Sequence, residues 1–266
     1  KECCANQNAH RTADRMVSSI GLVDRENDNT YLLDATPDMV AQMELLTNHD
    51  NKSSKQMADG IFLTHAHIGH YTGLMYLGKE SADTYSMPLY VMPRMAQFLS
   101  NNGPWDLLIA RKNVDLRILK NEQGVLLSEN LTVTPLIVPH RDEYSETVGY
   151  LIDGPQKSAL FIPDIDKWDK WERDIIAEIK QVDYAFLDAT FYSGTEMNNR
   201  DISQIPHPFV VESLETFKDL SPTEKNKIIF IHFNHTNPLL NAKSEESKNL
   251  LKAGYRVAKV GDVFGM

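Results

Sequence analysis

The sequence predicts an α/β fold, with mixed or packed β-sheets inside and helices outside. Short apolar runs alternate with amphipathic segments from end to end of the 266 residues, the pattern of a layered α/β chain. Hairpin-connected runs fill the middle and strand–helix units the ends. No internal repeat, low-complexity tract or Gly/Ser linker divides the chain, so residues 1–266 read as a single domain.

The elements follow in order. MVSSIGLVD (16–24) and NTYLLDA (29–35) read as a hairpin across the polar turn RENDN. TPDMVAQMELL reads as a helix with Thr36 as N-cap, Pro37 at its first position and Asp38 in its first turn. GIFLTHA is a short apolar strand that runs into a histidine cluster. Further strands are expected at PLYVM (88–92), VDLRIL (114–119), LTVTPLIV (131–138), TVGYLID (147–153), SALFIPD (158–164), VDYAFLDAT (182–190) and IIFIHF (228–233). Helices are expected at MAQFLSN, WDKWERDIIAEIKQ, FVVESLETFKDL and EESKNLLKAG, with the tryptophans of DKWDKW anchoring the second of these on a sheet.

Composition narrows the function classes. At 42% hydrophobic residues the chain can bury a substantial core. A net charge of -10 argues against a broad nucleic-acid-binding surface. No apolar run reaches the roughly 20 residues needed to span a bilayer, so the chain reads as soluble. It begins at Lys1, which suggests a processed, disordered or truncated upstream piece and leaves the compartment open between cytoplasm and export. Its two cysteines, Cys3 and Cys4, are adjacent and give no disulfide framework; they read as buried or free thiols, or as metal ligands. Oligomeric state and substrate are not legible.

Seven of the nine histidines fall in a few short segments near apparent strand ends: His65, His67 and His70 in THAHIGH, His140 in IVPHRDE, His207 in IPHPFV, and His232 and His235 in FIHFNHTNP. His10 and His49 lie outside this set. A lone strand-end histidine is usually a hydrogen-bonded structural residue, but recurrence across segments points to a shared metal. Residues two apart in an extended stretch point to one side, so His65 and His67 can reach one ion while His70 turns towards a neighbouring position. Asp164, ending SALFIPD, is the best candidate for a bridging carboxylate.

HAHIGH resembles the HxHxDH signature of the metallo-β-lactamase superfamily, and His140, Asp164 and His232 follow in the order that superfamily uses. Within it, THAHIGHYTGL, VPHRDEYSETVGY, FIPDIDKW, LDATFY, IPHPFV and FIHFNHTNP are most similar to the pyrroloquinoline quinone biosynthesis protein B family, over nearly the whole chain. The resemblance implies a metallo-β-lactamase-like αββα sandwich, two mixed sheets flanked by helices, and a first strand missing upstream of Lys1. It implies a first metal position at His65, His67 and His140 with Asp164 bridging, and a second at His70, Asp164 and His232. Gly69 stands where the superfamily has a metal-binding aspartate, so one firm ion and a weaker second position are expected. Asp142 is a substitute ligand or a solvated loop acid.

His207 resembles the histidine that phosphodiesterase members of the superfamily use to protonate the leaving oxygen; its plainer reading is a helix-entry residue bonded to backbone. Cys3, Cys4 and His235 match three ligands of a separate structural zinc in such members. Asp188 in FLDATF, at the end of another apolar strand, reads as the partner that orients a histidine or as a strand-end cap. Tyr71 and Tyr144 read as aromatic packing or substrate contacts. The leading expectation is a metal-dependent hydrolase, phosphodiesterase-like, in which metal-activated water attacks a phosphodiester or other ester-like centre of a small-molecule or peptide substrate. Zinc is the first choice of metal, with manganese or iron next. The alternatives are an iron-dependent peptide-tyrosine hydroxylase, which the second family implies, and a non-catalytic metal-binding protein.

Overall fold

The apolar runs become strands where they were expected, mostly a residue or two shorter. The computed structural model describes residues 15–49, 56–197 and 205–266, so Cys3, Cys4 and His10 lie outside the described residues. These residues form two compact units interleaved in the sequence, one of residues 16–137 with 142–148, the other of Arg15 and residues 138–141 with 149–266.

The first unit carries β1 (Ile20–Asp24), β2 (Asn29–Leu33), β3 (Gly60–Phe62), β4 (Met87–Val91) and β5 (Val114–Ile118), paired in that order in a mixed sheet. β1 and β2 are the antiparallel hairpin read from the sequence, with Asp24 opposite Asn29; β2 to β5 are parallel. Parallel pairing brings the carboxyl ends of β2 and β3 to the same edge, where α/β sheets build sites. Asp34 follows β2 there, its N–H donating to Phe62 O at 2.8 Å, and THAH follows β3. β6 (Val125–Ser128) and β7 (Leu131–Ile137) form an antiparallel hairpin with a bulge between Leu126 and Ser128. β6 escaped the sequence reading because GVLLSEN is short and its side chains are half-buried or, at Leu126, exposed.

The helices of this unit are α1 (Met39–Thr47), α2 (Ile68–Tyr71), α3 (Pro93–Asn101) and α4 (Trp105–Ala110). Helix α1 begins later than its cap signals suggest. The Asp38 carboxylate accepts the N–H of Val17 at 2.8 Å and does not cap the helix, while the Thr36 hydroxyl donates to Gln42 Oε1 at 2.7 Å and accepts the N–H of Asp38 at 3.1 Å, closing the turn just ahead of the helix. In α3, Pro93 sets the first turn, and Met95, Ala96 and Leu99 face the core. That core gathers fully buried Leu32, Ile61, Leu74, Leu77 and Leu89; each such side chain contributes about 1.5–3 kcal/mol on leaving water.

The second unit holds β8 (Val148–Asp153), β9 (Ser158–Ile162), β10 (Tyr184–Asp188), β11 (Ile228–Ile231) and β12 (Arg256–Val257). Their order is β12-β11-β10-β9-β8, with β8 antiparallel to β9 and the rest parallel. IIFI of β11 is buried at every residue, as expected of a central parallel strand covered on both faces. The carboxyl ends of β9, β10 and β11 therefore share an edge and deliver Asp164, Asp188 and His232 to it.

Helices α5 (Ile175–Gln181), α6 (Val210–Thr216), α7 (Pro222–Lys225) and α8 (Glu245–Lys252) complete this unit. WDKWERDIIAEIKQ is not one helix: Asp174 accepts the N–H of Ile176 at 2.9 Å and starts α5 there. The preceding residues form a short 3₁₀ turn that buries Trp168 and Trp171, with the Trp168 indole donating to Ser213 Oγ at 2.9 Å. No described helix is long and apolar enough to cross a membrane.

Candidate metal centre

In the first unit, the chain leaves β3 in extended conformation and turns into α2 with His67 as its N-cap residue. This sets His65 and His67 on one side, as their spacing predicts. His65 Nε2 and His67 Nδ1 converge to 2.9 Å, and the rings of His65 and His70 lie 4.2 Å apart between centroids. Two imidazole nitrogens that face each other share a proton or a cation. Around them the polar groups are fixed. His65 Nδ1 lies 2.9 Å from the Thr64 hydroxyl, and His67 Nε2 is 3.5 Å from Glu143 Oε2.

His70 is oriented by a residue that the sequence reading missed. Asp34, fully buried and at φ +71, takes His70 Nδ1 at 2.8 Å and also accepts the N–H and hydroxyl of Thr64. Its signal was present: YLLDA ends a strand on an acid, as FIPD and FLDA do. Asp142 is an exposed acid held by the Arg94 guanidinium at 2.9 Å, in keeping with the loop reading. Tyr71 is buried against Phe98 and Trp105, whereas Tyr144 is 62% exposed.

In the second unit, the expected residues meet at the shared strand edge. Asp164 Oδ1 lies 3.3 Å from His140 Nε2 and 3.0 Å from His207 Nδ1. His207 Nδ1 is also 2.9 Å from Asp188 Oδ2 and 3.1 Å from the Thr190 hydroxyl, which in turn sits 2.8 Å from His232 Nδ1. His207 is thus not bonded to helix backbone through its ring. Asp188 combines both of its readings: it accepts the N–H and hydroxyl of Thr190, as a strand-end cap does, and it grips His207. His232 reaches this cluster from a left-handed backbone, φ +60, immediately after β11.

Electrostatics follow from burial plus pairing. Burial would raise both aspartates, but the cationic imidazoles outweigh it: Asp164 is held well below the usual carboxylate range, and Asp188 is lowered to about 2. Burial would lower His207, yet the charges of Asp188 and Asp164 push it up to about 10; His232 is raised in the same way. One ligand atom from each of Asp164, Asp188, His207 and His232 lies within 4.8 Å of the others. Of these, Asp164 and His232 offer a carboxylate and an imidazole suited to a divalent transition ion, while the His207 Nδ1 is taken up by the two carboxylates. His235 is exposed, its Nδ1 3.1 Å from Asn234 Oδ1, and the other two residues expected beside it are Cys3 and Cys4.

Residues 29–233 match the family described as the beta-lactamase superfamily domain. Coenzyme PQQ synthesis protein B of Gluconobacter oxydans is 24% identical over 263 residues, covering 91% of this chain and 84% of that protein. Among solved structures, zinc-bound PqqB from Methylobacterium extorquens superposes with a TM-score of 0.78 at 22% identity, over 96% of this chain and 90% of that one. A diphosphatase of the PhnP family gives 0.63 at 20% identity, over 96% and 85%. With two mixed sheets flanked by helices and clustered His/Asp donors at strand ends, the chain belongs to the beta-lactamase superfamily domain family, has the metallo-β-lactamase fold and is similar along most of its length to coenzyme PQQ synthesis protein B.

Proposed function

We propose that the chain is a metal-dependent hydrolase that directs water onto a phosphodiester or another ester-like centre. The observation that carries this reading is the buried His207 imidazole gripped by Asp164 and Asp188, an arrangement that keeps a protonated acid beside a set of metal-ligating side chains. His65, His67, His140 and Asp164 would hold one ion, zinc by donor type with manganese or iron as alternatives. His70, Asp164 and His232 would form a weaker second position, and Cys3, Cys4 and His235 a separate structural zinc. A bound ion supplies Lewis acidity and lowers the pKa of water.

The remaining work belongs to the chain's own residues. Asp188 and Asp164 fix the His207 ring through Nδ1, which leaves Nε2 to give its proton to the leaving oxygen. Thr190 spans His207 and His232 with one hydroxyl, so both rings keep their orientation. Removing such a proton donor typically lowers rate by about 10² to 10⁴. The test is hydrolysis of bis(4-nitrophenyl) phosphate and a carboxylic ester panel by protein loaded with zinc or manganese, with elemental analysis of material purified without added metal. Turnover that falls in His207→Gln and vanishes in His140→Ala supports the reading; a metal-loaded protein inert on every ester removes it.

A second reading, an iron-dependent hydroxylase acting on a peptide tyrosine, is favoured by the similarity to coenzyme PQQ synthesis protein B over 91% of the chain. Oxygen uptake by the ferrous protein with a tyrosine-containing peptide, in the absence of ester hydrolysis, would establish it in place of the first.

A further inference from the structure

Within the first unit, the loop 142–146 and helix α3 enclose an open hollow of about 300 Å³, lined among others by Arg94, Gln97, Phe98, Asn101, Glu143 and Tyr144. We propose that this hollow is a substrate subsite for a planar aromatic ring with hydrogen-bonding groups on its edge, and that Tyr144 is the plate on which the ring stacks. The proposal rests on the reading of His67 as a metal ligand, because Glu143, one wall of the hollow, reaches His67 Nε2 at 3.5 Å.

The wall is built. Glu146 accepts the backbone N–H of Arg94 with both carboxylate oxygens, at 3.1 and 3.0 Å, and the Arg94 guanidinium donates to the Asp142 carboxylate and carbonyl. Buried Ser145 accepts the N–H of Ala66, between His65 and His67, at 2.8 Å. The loop is therefore tied at three of its five residues, and the tie at Ser145 leads into the histidine segment itself.

Ligand chemistry follows from what is committed and what is offered. The guanidinium of Arg94 is already spent on Asp142, and Glu143 adds a negative charge, so the hollow does not suit a phosphate. Tyr144 is held on this loop with most of its surface exposed, against Phe98 at 5.4 Å between centroids. Phe98 rests on Tyr71, and Tyr71 on Trp105, so an aromatic column backs the exposed ring. Gln97 and Asn101, one turn apart on α3, line the same hollow with amides that both donate and accept. Stacking plate and amide edge together fit a neutral ring whose attached group extends towards His67.

A nucleobase and a tyrosyl phenol both present such a ring, and binding distinguishes them. Calorimetric titration of the full chain, stripped of metal by chelation, with thymidine and separately with N-acetyltyrosinamide reads ring capture without any turnover. The expected result is binding of one of these by the wild type and a loss of about tenfold or more in Tyr144→Ala, whose exposed side chain leaves the melting temperature unchanged. A lesser loss in Gln97→Ala supports the edge contact. Binding of neither ring, or equal affinity in Tyr144→Ala, overturns the subsite. Ring binding by a metal-loaded protein inert on esters supports the subsite and removes only the hydrolase reading.

Discussion

Asp188 Oδ2 lies 2.9 Å from Nδ1 of His207, and Asp164 Oδ1 lies 3.0 Å from the same nitrogen, so the acids at the ends of two adjacent parallel strands share one imidazole. Parallel pairing of β9 with β10 makes this possible, because it brings the carboxyl ends of both strands to one edge. The ring compensates two buried negative charges that would otherwise destabilise the unit.

The pairing makes the stability of the metal-free protein depend on pH. His207 is raised to about 10, so its contribution is fully present below the unfolded value of about 6.5 and is lost as pH rises through about 10. Asp188 is lowered to about 2, so its contribution is present above 3.8 and is lost as pH falls through about 2. In urea titrations of chelated protein, the stability gap between wild type and His207→Gln should be widest between pH 3.8 and 6.5 and narrow towards both extremes. A gap that stays constant from pH 5 to pH 10.5 would contradict the assignment.

Asp34 should matter more to folding than its place in a strand-end loop suggests. Its carboxylate takes His70 and two donors of Thr64, and its φ of +71 suits Asn or Asp better than Ala. Asp34→Ala leaves buried donors unmatched and strains the backbone, a loss of about 2–4 kcal/mol in denaturant unfolding. Asp34→Asn keeps the turn and part of the bonding and should lose less than half as much. Equal losses in the two variants would mean that neither conformation nor acceptor number governs this site.

The strands and the histidine cluster were legible because continuous apolar runs ending in His or Asp are local signals. Asp164 and His207 stood out by their neighbours in FIPD and IPHP. Asp34 did not, since its role depends on β2 pairing with β3 across 26 intervening residues, a contact that no local pattern records. Thr190 was missed for a related reason: a threonine after a strand is common, and only the fold brings its hydroxyl to both His207 and His232. The single helix expected over WDKWERDIIAEIKQ failed where burial of two tryptophans and the Asp174 cap overrode helical spacing.

The buried Trp168 indole offers a cleaner test of packing in the second unit. Its N–H donates to Ser213 Oγ at 2.9 Å, and Ser213 is fully buried. Ser213→Ala leaves that donor unmatched at little change in volume, which should cost about 1–3 kcal/mol. Ser213→Thr, which retains an acceptor, should recover part of the loss if the added methyl group is accommodated. Tryptophan fluorescence during urea unfolding reports both variants, and an unchanged midpoint in Ser213→Ala would show that the bond contributes nothing net.

Gly69 provides the sharpest test of the second metal position. A Cβ placed there meets only Val17 Cγ1, at 3.8 Å, so a side chain can be added without displacing backbone. Four residues on, the same change at Gly73 would put a Cβ 2.2 Å from Thr36 O and should unfold the segment. Gly69→Asp adds an anionic oxygen beside His70, where the proposed second position otherwise has only two imidazoles and a shared carboxylate. The variant should retain the wild-type melting temperature and bind a second equivalent of zinc or manganese at least tenfold more tightly, measured by competition with a chelating dye. Wild-type stoichiometry and affinity in a folded Gly69→Asp would mean that the missing carboxylate is not what limits the second position.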